Sequence, residues 1–140
     1  MDPRVNIITL GVKDVEKSAQ FYEKIFNKSR SDQSNENIVF IKLLGIVLAI
    51  YSNSSLADDA QVNAEGKGFK GFTLAYNAKS EAEVDQIINE VELAGAKIVK
   101  KPQKVFWGGY SSYFCDYDEN LFEVAFNPFF PLKENGEIDI

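Results

Sequence analysis

Histidine is absent from this 140-residue chain, and cysteine, methionine and tryptophan occur once each. Without histidine there can be no Ser-His-Asp or Cys-His catalytic arrangement, and no imidazole to hold a metal. Cys115 stands alone, so it cannot close an internal disulfide, and it lacks the paired spacing of a zinc or redox motif. That usage suits a reducing compartment, in which the Asn53-Ser54-Ser55 sequon would stay inert. No apolar run is long enough to span a bilayer, and Met1 is followed by Asp2, Pro3 and Arg4 rather than by a basic patch and an apolar segment. A cytosolic protein with no membrane partner is therefore expected. Charge of one sign is nowhere concentrated: 15 basic and 21 acidic residues are interspersed and leave a net charge of -6, which on average repels a phosphate backbone. Nucleic acid is a poor partner on that ground. Walker and dinucleotide glycine fingerprints are also missing, and Gly66-Lys67-Gly68 is too short a signal to imply phosphate binding.

What is present is apolar: 45% of the residues are hydrophobic and 13% aromatic, enough to bury a core within one domain spanning 1–140. Over Arg4–Val12, Ile8, Leu10 and Val12 alternate with Ile7, Thr9 and Gly11, the two-residue period of a strand with one greasy and one small face. Asp14 offers an N-cap to a helix carrying Val15, Ala19, Tyr22 and Phe26 on one side and ending near Asn27. A polar loop, 28–37, leads to apolar runs at Ile38–Leu44 and Ile46–Ser52, separated by Gly45 as in a hairpin. Ser52–Lys67 is polar and reads as the linker.

Beyond the linker the grammar restarts. Phe69–Tyr76 alternates Phe72, Leu74 and Tyr76 against Gly71, Thr73 and Ala75. Ser80 and Glu83 form a capping box, Val84, Ile87, Ile88 and Val91 a stripe, and Gly95 sits at a left-handed C-cap position. Short strands are expected at Lys97–Lys100, Tyr110–Cys115 and Leu121–Asn127, with Asp116–Asn120 as a turn. Thr9-Leu10-Gly11 before the first helix parallels Thr73-Leu74-Ala75 before the second, which points to duplication. The expected fold is α+β: module one over about 4–52, linker about 53–67, module two about 68–127 and a tail, 128–140. The half-sheets would curl around a cleft with the helices outside.

Ile8-Thr9-Leu10-Gly11-Val12-Lys13-Asp14, leading into Ser18, Phe21 and Tyr22, resembles the opening of the vicinal oxygen chelate superfamily of glyoxalases, bleomycin-resistance proteins and extradiol dioxygenases. Tyr113-Phe114-Cys115-Asp116-Tyr117-Asp118-Glu119-Asn120-Leu121-Phe122-Glu123-Val124 looks like that family's Asp-Pro-Asp-Gly-Asn turn and Glu-bearing last strand. Trp107-Gly108-Gly109-Tyr110 and Asn127-Pro128-Phe129-Phe130-Pro131-Leu132 further resemble a glyoxalase-like, largely uncharacterised branch. The resemblance runs from about Val5 to Asn127 and implies paired βαβββ modules. It also implies metal-ligand positions at Ile7, about Ala49, Thr73 and Glu123, of which only Glu123 is a strong donor. A single carboxylate cannot replace a cation's hydration shell, so no metal or other cofactor is expected and a conventional metal-dependent glyoxalase is disfavoured. Tyr117 and Glu119 replace the turn's usual Pro and Gly.

Strand parity turns Leu121, Glu123 and Ala125 toward the expected cleft, where Glu123 is a candidate general base or ligand anchor. The bland alternative is a relic carboxylate satisfied by Thr9, Thr73 or water. Trp107 and Tyr110 flank two glycines and could close over a flat or cationic guest, or simply pack on the domain. Phe40 and Tyr113 are further ligand-binding candidates by parity. Cys115 reads as a packed small residue, since Asp116 beside it favours the thiol. The aromatic Phe129-Phe130-Pro131 suggests a surface buried in a homodimer. Three functions stay open. One is a metal-free protein binding a small apolar or aromatic molecule, and another a metal-independent lyase or isomerase with Glu123 as base and a tyrosine or Thr73 at an enolate-like oxyanion. The third is a dimeric scaffold with a filled cleft.

Overall fold

The computed structural model describes residues 5–66 and 68–138. Arg4, where the first strand was expected to begin, Lys67 of the linker and the last two residues of the tail lie outside them. The chain divides into two compact units, Met1–Gly68 and Phe69–Ile140. The expected α+β class holds, with three helices and two mixed, open sheets among the described residues.

In the first unit, β1 (Ile7–Val12), α1 (Val15–Ile25), β2 (Ile38–Lys42), β3 (Val47–Ser52) and α2 (Asn53–Ala60) follow one another. β3 is central, parallel to β1 and antiparallel to β2. The two-residue alternation decides the faces: Leu10, Val12, Val39, Ile41, Leu48 and Ile50 are all buried together with Ala19, Phe21 and Tyr22 of α1. Each such aliphatic side chain contributes about 2 kcal/mol by leaving water. Asp14 caps α1, its Oδ1 accepting from the Lys17 amide at 3.0 Å. The segment after α1 is tied back by Arg30, whose guanidinium donates to Glu23 Oε2 at 2.7 Å and Glu16 Oε2 at 2.8 Å.

Two details depart from the expectation of matching modules. The first unit has three strands among its described residues, and the segment read as a linker opens with α2. Ser52 caps this helix by accepting from the Ser55 amide at 3.5 Å. Only Ala57 of α2 is buried, so its sequence carries almost no apolar stripe and the polar composition hid the helix. Gly11 makes room for it: a side chain there would lie 2.6 Å from Asn53 Oδ1 and 3.3 Å from Leu56 Cδ2.

The second unit is a complete βαβββ module: β4 (Leu74–Asn77), α3 (Glu81–Leu93), β5 (Lys97–Lys104), β6 (Tyr110–Cys115) and β7 (Leu121–Phe126). The strand order is β4-β7-β6-β5, with β4 parallel to β7 and the remaining pairs antiparallel. β4 starts later than the alternation from Phe69 suggested, leaving Phe69 and Phe72 exposed. β5 runs past Lys100 because two register shifts let it continue along β6. Ser80 caps α3 through the Glu83 amide at 3.2 Å, but the Glu83 carboxylate turns to the Lys79 amide at 2.6 Å, one residue before the capping-box partner. Phe114 and Phe122 stack at 5.1 Å beneath α3.

The turn joining β6 to β7 forms with both substituted residues in place. Glu119, standing where the resembled family has Gly, adopts φ 62. Tyr117, standing where it has Pro, donates to the Ala94 carbonyl at the end of α3 at 3.1 Å. Gly95 is thereby fixed twice over, by φ 104 and by the Tyr117 hydroxyl, which would lie 2.5 Å from any Cβ.

Two outcomes follow from these features. Left-handed backbone costs a non-glycine residue about 1–2 kcal/mol, partly offset by the extra unfolded-state freedom glycine brings. Glu119→Gly should therefore raise stability by up to about 1 kcal/mol in urea denaturation. The Arg30 hydrogen bonds are the main cause of the lowered carboxyl pKa values of Glu16, to about 2, and of Glu23. Because the folded values are depressed, this contribution is present above the ordinary value of 4.5 and is lost as pH falls toward about 2. Glu16 is solvent-screened, so the more enclosed Glu23 carries most of it. Arg30→Gln should move both carboxyl titrations, followed by carbon-13 NMR, up toward 4.5.

Candidate functional site

The sheet of the second unit has two faces with different chemistry. The α3 side is identified by Tyr76, whose hydroxyl donates to Glu83 at 3.3 Å, and by Tyr110, whose hydroxyl donates to Asp85 at 2.9 Å. Lys104, paired with Tyr110 across the strands, bonds Glu81 on the same side. The opposite parity carries Glu123, which register places between Ala75 of β4 and Tyr113 of β6, with Lys100 of β5 next in the row.

Within that row the side chains are linked. Tyr113 and Glu123 are direct cross-strand partners on this face, and the Tyr113 pKa is pushed up to about 12, first by burial and then by its interaction with the Glu123 carboxylate. The phenol therefore stays protonated and acts as a donor at any physiological pH. Lys100 lies over the Tyr113 ring with its Nζ 5.0 Å from the centroid and donates to the buried Ser111 Oγ at 2.8 Å. All three of Lys100, Tyr113 and Glu123 are half-buried. Cys115, on the same parity as Tyr113, is buried. Desolvation raises the pKa of its thiol, Lys97 opposes this, and Asp116 and Glu119 add to it, which makes an unreactive thiol.

The residues singled out in the sequence fall into three places. Glu123 and Tyr113 are brought together. Thr73 lies just before β4 in the same unit, but its hydroxyl is engaged at 3.0 Å with the Leu121 carbonyl. Thr9 and Phe40 share a row of the first sheet through Ala49, on the face turned from α1. Tyr110 sits on the α3 side of its strand, away from Glu123. Trp107 belongs to the turn closed by Val105 and Gly109, and its indole lies on Gly109 so closely that a Cβ there would collide with the ring. The glycine pair thus serves close packing, with the Phe129 ring against Gly108. Phe129 remains 68% and Phe130 41% exposed.

Sequence reasoning missed Lys100 and Ser111. The β-bulges of β5 break the simple parity count, so Lys100 could not be assigned a face from the Lys-rich run around it. Ser111 lay one residue from Ser112, and only the register separates their roles: Ser112 donates to the Lys100 carbonyl at 2.6 Å.

Of the positions that the resemblance matches to the superfamily's metal ligands, only Glu123 carries a strong donor side chain. Ile7 and Ala49 offer no donor, the Thr73 hydroxyl is already engaged, and among the described residues no three of His, Cys, Asp and Glu come together. Nor is any described helix long and apolar enough to cross a membrane.

The profile of the Glyoxalase/Bleomycin resistance protein/Dioxygenase superfamily matches residues 4–124. The chain belongs to that superfamily. It is 30% identical to a glyoxalase-related enzyme from Fulvimarina pelagi, whose crystal structure superposes with a TM-score of 0.87 over 99% of this chain and 98% of that one. It is also 29% identical, over 84% of each chain, to the fosfomycin resistance protein FosX of Listeria monocytogenes. A crystal structure of FosX from that species matches with a TM-score of 0.70, covering 92% of this chain and 97% of the other.

The Glu123–Tyr113 link has a direct test. Glu123→Gln removes the charge but not the burial, so the Tyr113 pKa should fall from about 12 while staying above its ordinary value of 10.0. The tyrosine ring carbon shifts across an alkaline NMR titration would report it.

Proposed function

We propose that this chain binds a small molecule against the Ala75–Glu123–Tyr113–Lys100 row and does so without a resident transition metal. The observation that supports this reading is the cross-strand Glu123–Tyr113 pair beside the half-buried Lys100 ammonium, which contacts the neutral Ser111 hydroxyl and Tyr113 ring. A carboxylate, a protonated phenol and a cation within one row can orient the polar end of a guest, while Ala75 and the aromatic surface take an apolar or aromatic body. A homodimer that covers Phe129 and Phe130 is part of the proposal, and sedimentation showing a monomer at micromolar concentration would remove it.

The same pair favours a second reading, a lyase or isomerase. Glu123 would take a proton from the carbon next to a carbonyl while Tyr113 donates a hydrogen bond to the developing enolate oxygen; in an isomerase, Glu123 returns the proton to a different carbon. Tyr113 supplies here the second polar group that such a mechanism needs. Because the named Listeria relatives are fosfomycin resistance proteins, fosfomycin is a natural first probe of reactivity.

Native mass spectrometry of protein purified without added metal tests both readings. A retained organic mass without metal is the expected result, whereas a stoichiometric divalent ion would overturn the metal-free proposal, and a dimer with neither would favour a scaffold. For a ligand so found, Glu123→Gln should weaken binding by roughly 10-fold or more, as loss of a hydrogen bond to a charged group implies, with an unchanged circular dichroism spectrum. Unaltered affinity would count against the site.

A further inference from the structure

The first unit holds a groove of ≈ 470 Å³ between the end of α1 and the β2–β3 hairpin, lined by Phe26, Lys28, Lys42, Leu43 and Leu44. Its size falls in the range of small-molecule clefts, roughly 300–1,000 Å³, and it shares no residue with the Glu123 row. The walls are fixed by local structure. Phe26 stacks on the fully buried Tyr22 at 6.2 Å, and Leu43 is held in the hairpin by the hydrogen bond its amide donates to the Ile46 carbonyl at 2.9 Å. Lys28 is set by the close of the helix: Asn27 turns to φ 45 and the Lys28 amide reaches back to the Glu23 carbonyl at 3.0 Å. Leu44, a large apolar side chain at the hairpin tip, is 63% exposed.

Lys28 and Lys42 make no ion pair among the described residues, although the chain as a whole is acidic at -6. Two such cations beside an apolar wall are complementary to a molecule with an alkyl body and a negative head.

We propose that this groove binds a medium-chain carboxylate, its alkyl chain on Phe26, Leu43 and Leu44 and its head between Lys28 and Lys42. A singly charged head is favoured over a phosphate dianion for two reasons. The lysines are point charges without the fork of a guanidinium or a row of backbone amides, and α1 ends here, so its partial negative charge penalises a second charge on the guest.

The test is an NMR titration of nitrogen-15-labelled protein with sodium octanoate and, separately, with neutral 1-octanol. Saturable shifts at 26–28 and 42–44 are expected, with octanoate binding roughly 5- to 10-fold tighter than octanol, as two exposed ion contacts allow. The Lys28→Gln/Lys42→Gln variant should erase that preference, and Leu44→Ser should weaken both ligands; all three positions are exposed, so the fold is spared. Shifts elsewhere, or a preference that survives in the double variant, would overturn the proposal. Self-association that depends on Leu44, with no response to octanoate, would also overturn it and give the groove to a second copy of the chain.

Discussion

The second unit depends on the register between β6 and β7, and that register is held by the Asp116 carboxylate. Asp116 is 5% exposed, and its oxygens accept from the amides of Asp118 and Asn120 and from the Asn120 side chain, at 2.8–2.9 Å. Lys70 closes the arrangement from outside by donating to Asn120 Oδ1 at 3.2 Å. A buried carboxylate is tolerated because these donors replace the water it has lost. They also fix a five-residue turn in which Glu119 accepts a left-handed backbone that favours glycine. A slip of one residue in β7 would send Glu123 to the α3 side and bring Phe122 and Val124 out.

That register gives the two faces of one sheet separate tasks. On the α3 side, tyrosines at 76 and 110 spend their hydroxyls on helix carboxylates, which joins helix to sheet at its polar margins while Phe114, Phe122 and Val124 fill the centre. On the other side the carboxylate, phenol and ammonium of the row turn to one another. Membership of the superfamily accounts for the scaffold of both faces but not for the chemistry of either, because a shared fold hosts different sites. The chemistry argued for this chain rests on Glu123, Tyr113 and Lys100 themselves.

The regions that were legible in the sequence are those where a period meets a buried face. The alternation of β1 and β7, the apolar run of β3 and the stripes of α1 and α3 belong to this group, and so do the caps Asp14 and Ser80, since a cap is a contact within four residues. α2 escaped because a helix burying one alanine leaves no stripe, and the true start of β4 escaped because Phe69 and Phe72 continue the alternation without being buried. Of the candidate site, Glu123 and Tyr113 could be named from parity. Their pairing could not, because it joins residues on separate strands.

By itself the sequence determined the superfamily, the α+β class, the shortage of metal donors and the side of β7 on which Glu123 lies. The superfamily follows from the resemblance of the chain's two ends to the family's motifs, and the others from composition or from patterns close along the chain. Only the tertiary structure decided that Tyr113 faces Glu123, that Lys100 joins them from between two register shifts, that Tyr110 belongs to α3 and that Trp107 lies on Gly109. Those outcomes depend on which strands pair and in what register, a choice made by burial summed over the whole unit and invisible to any local window.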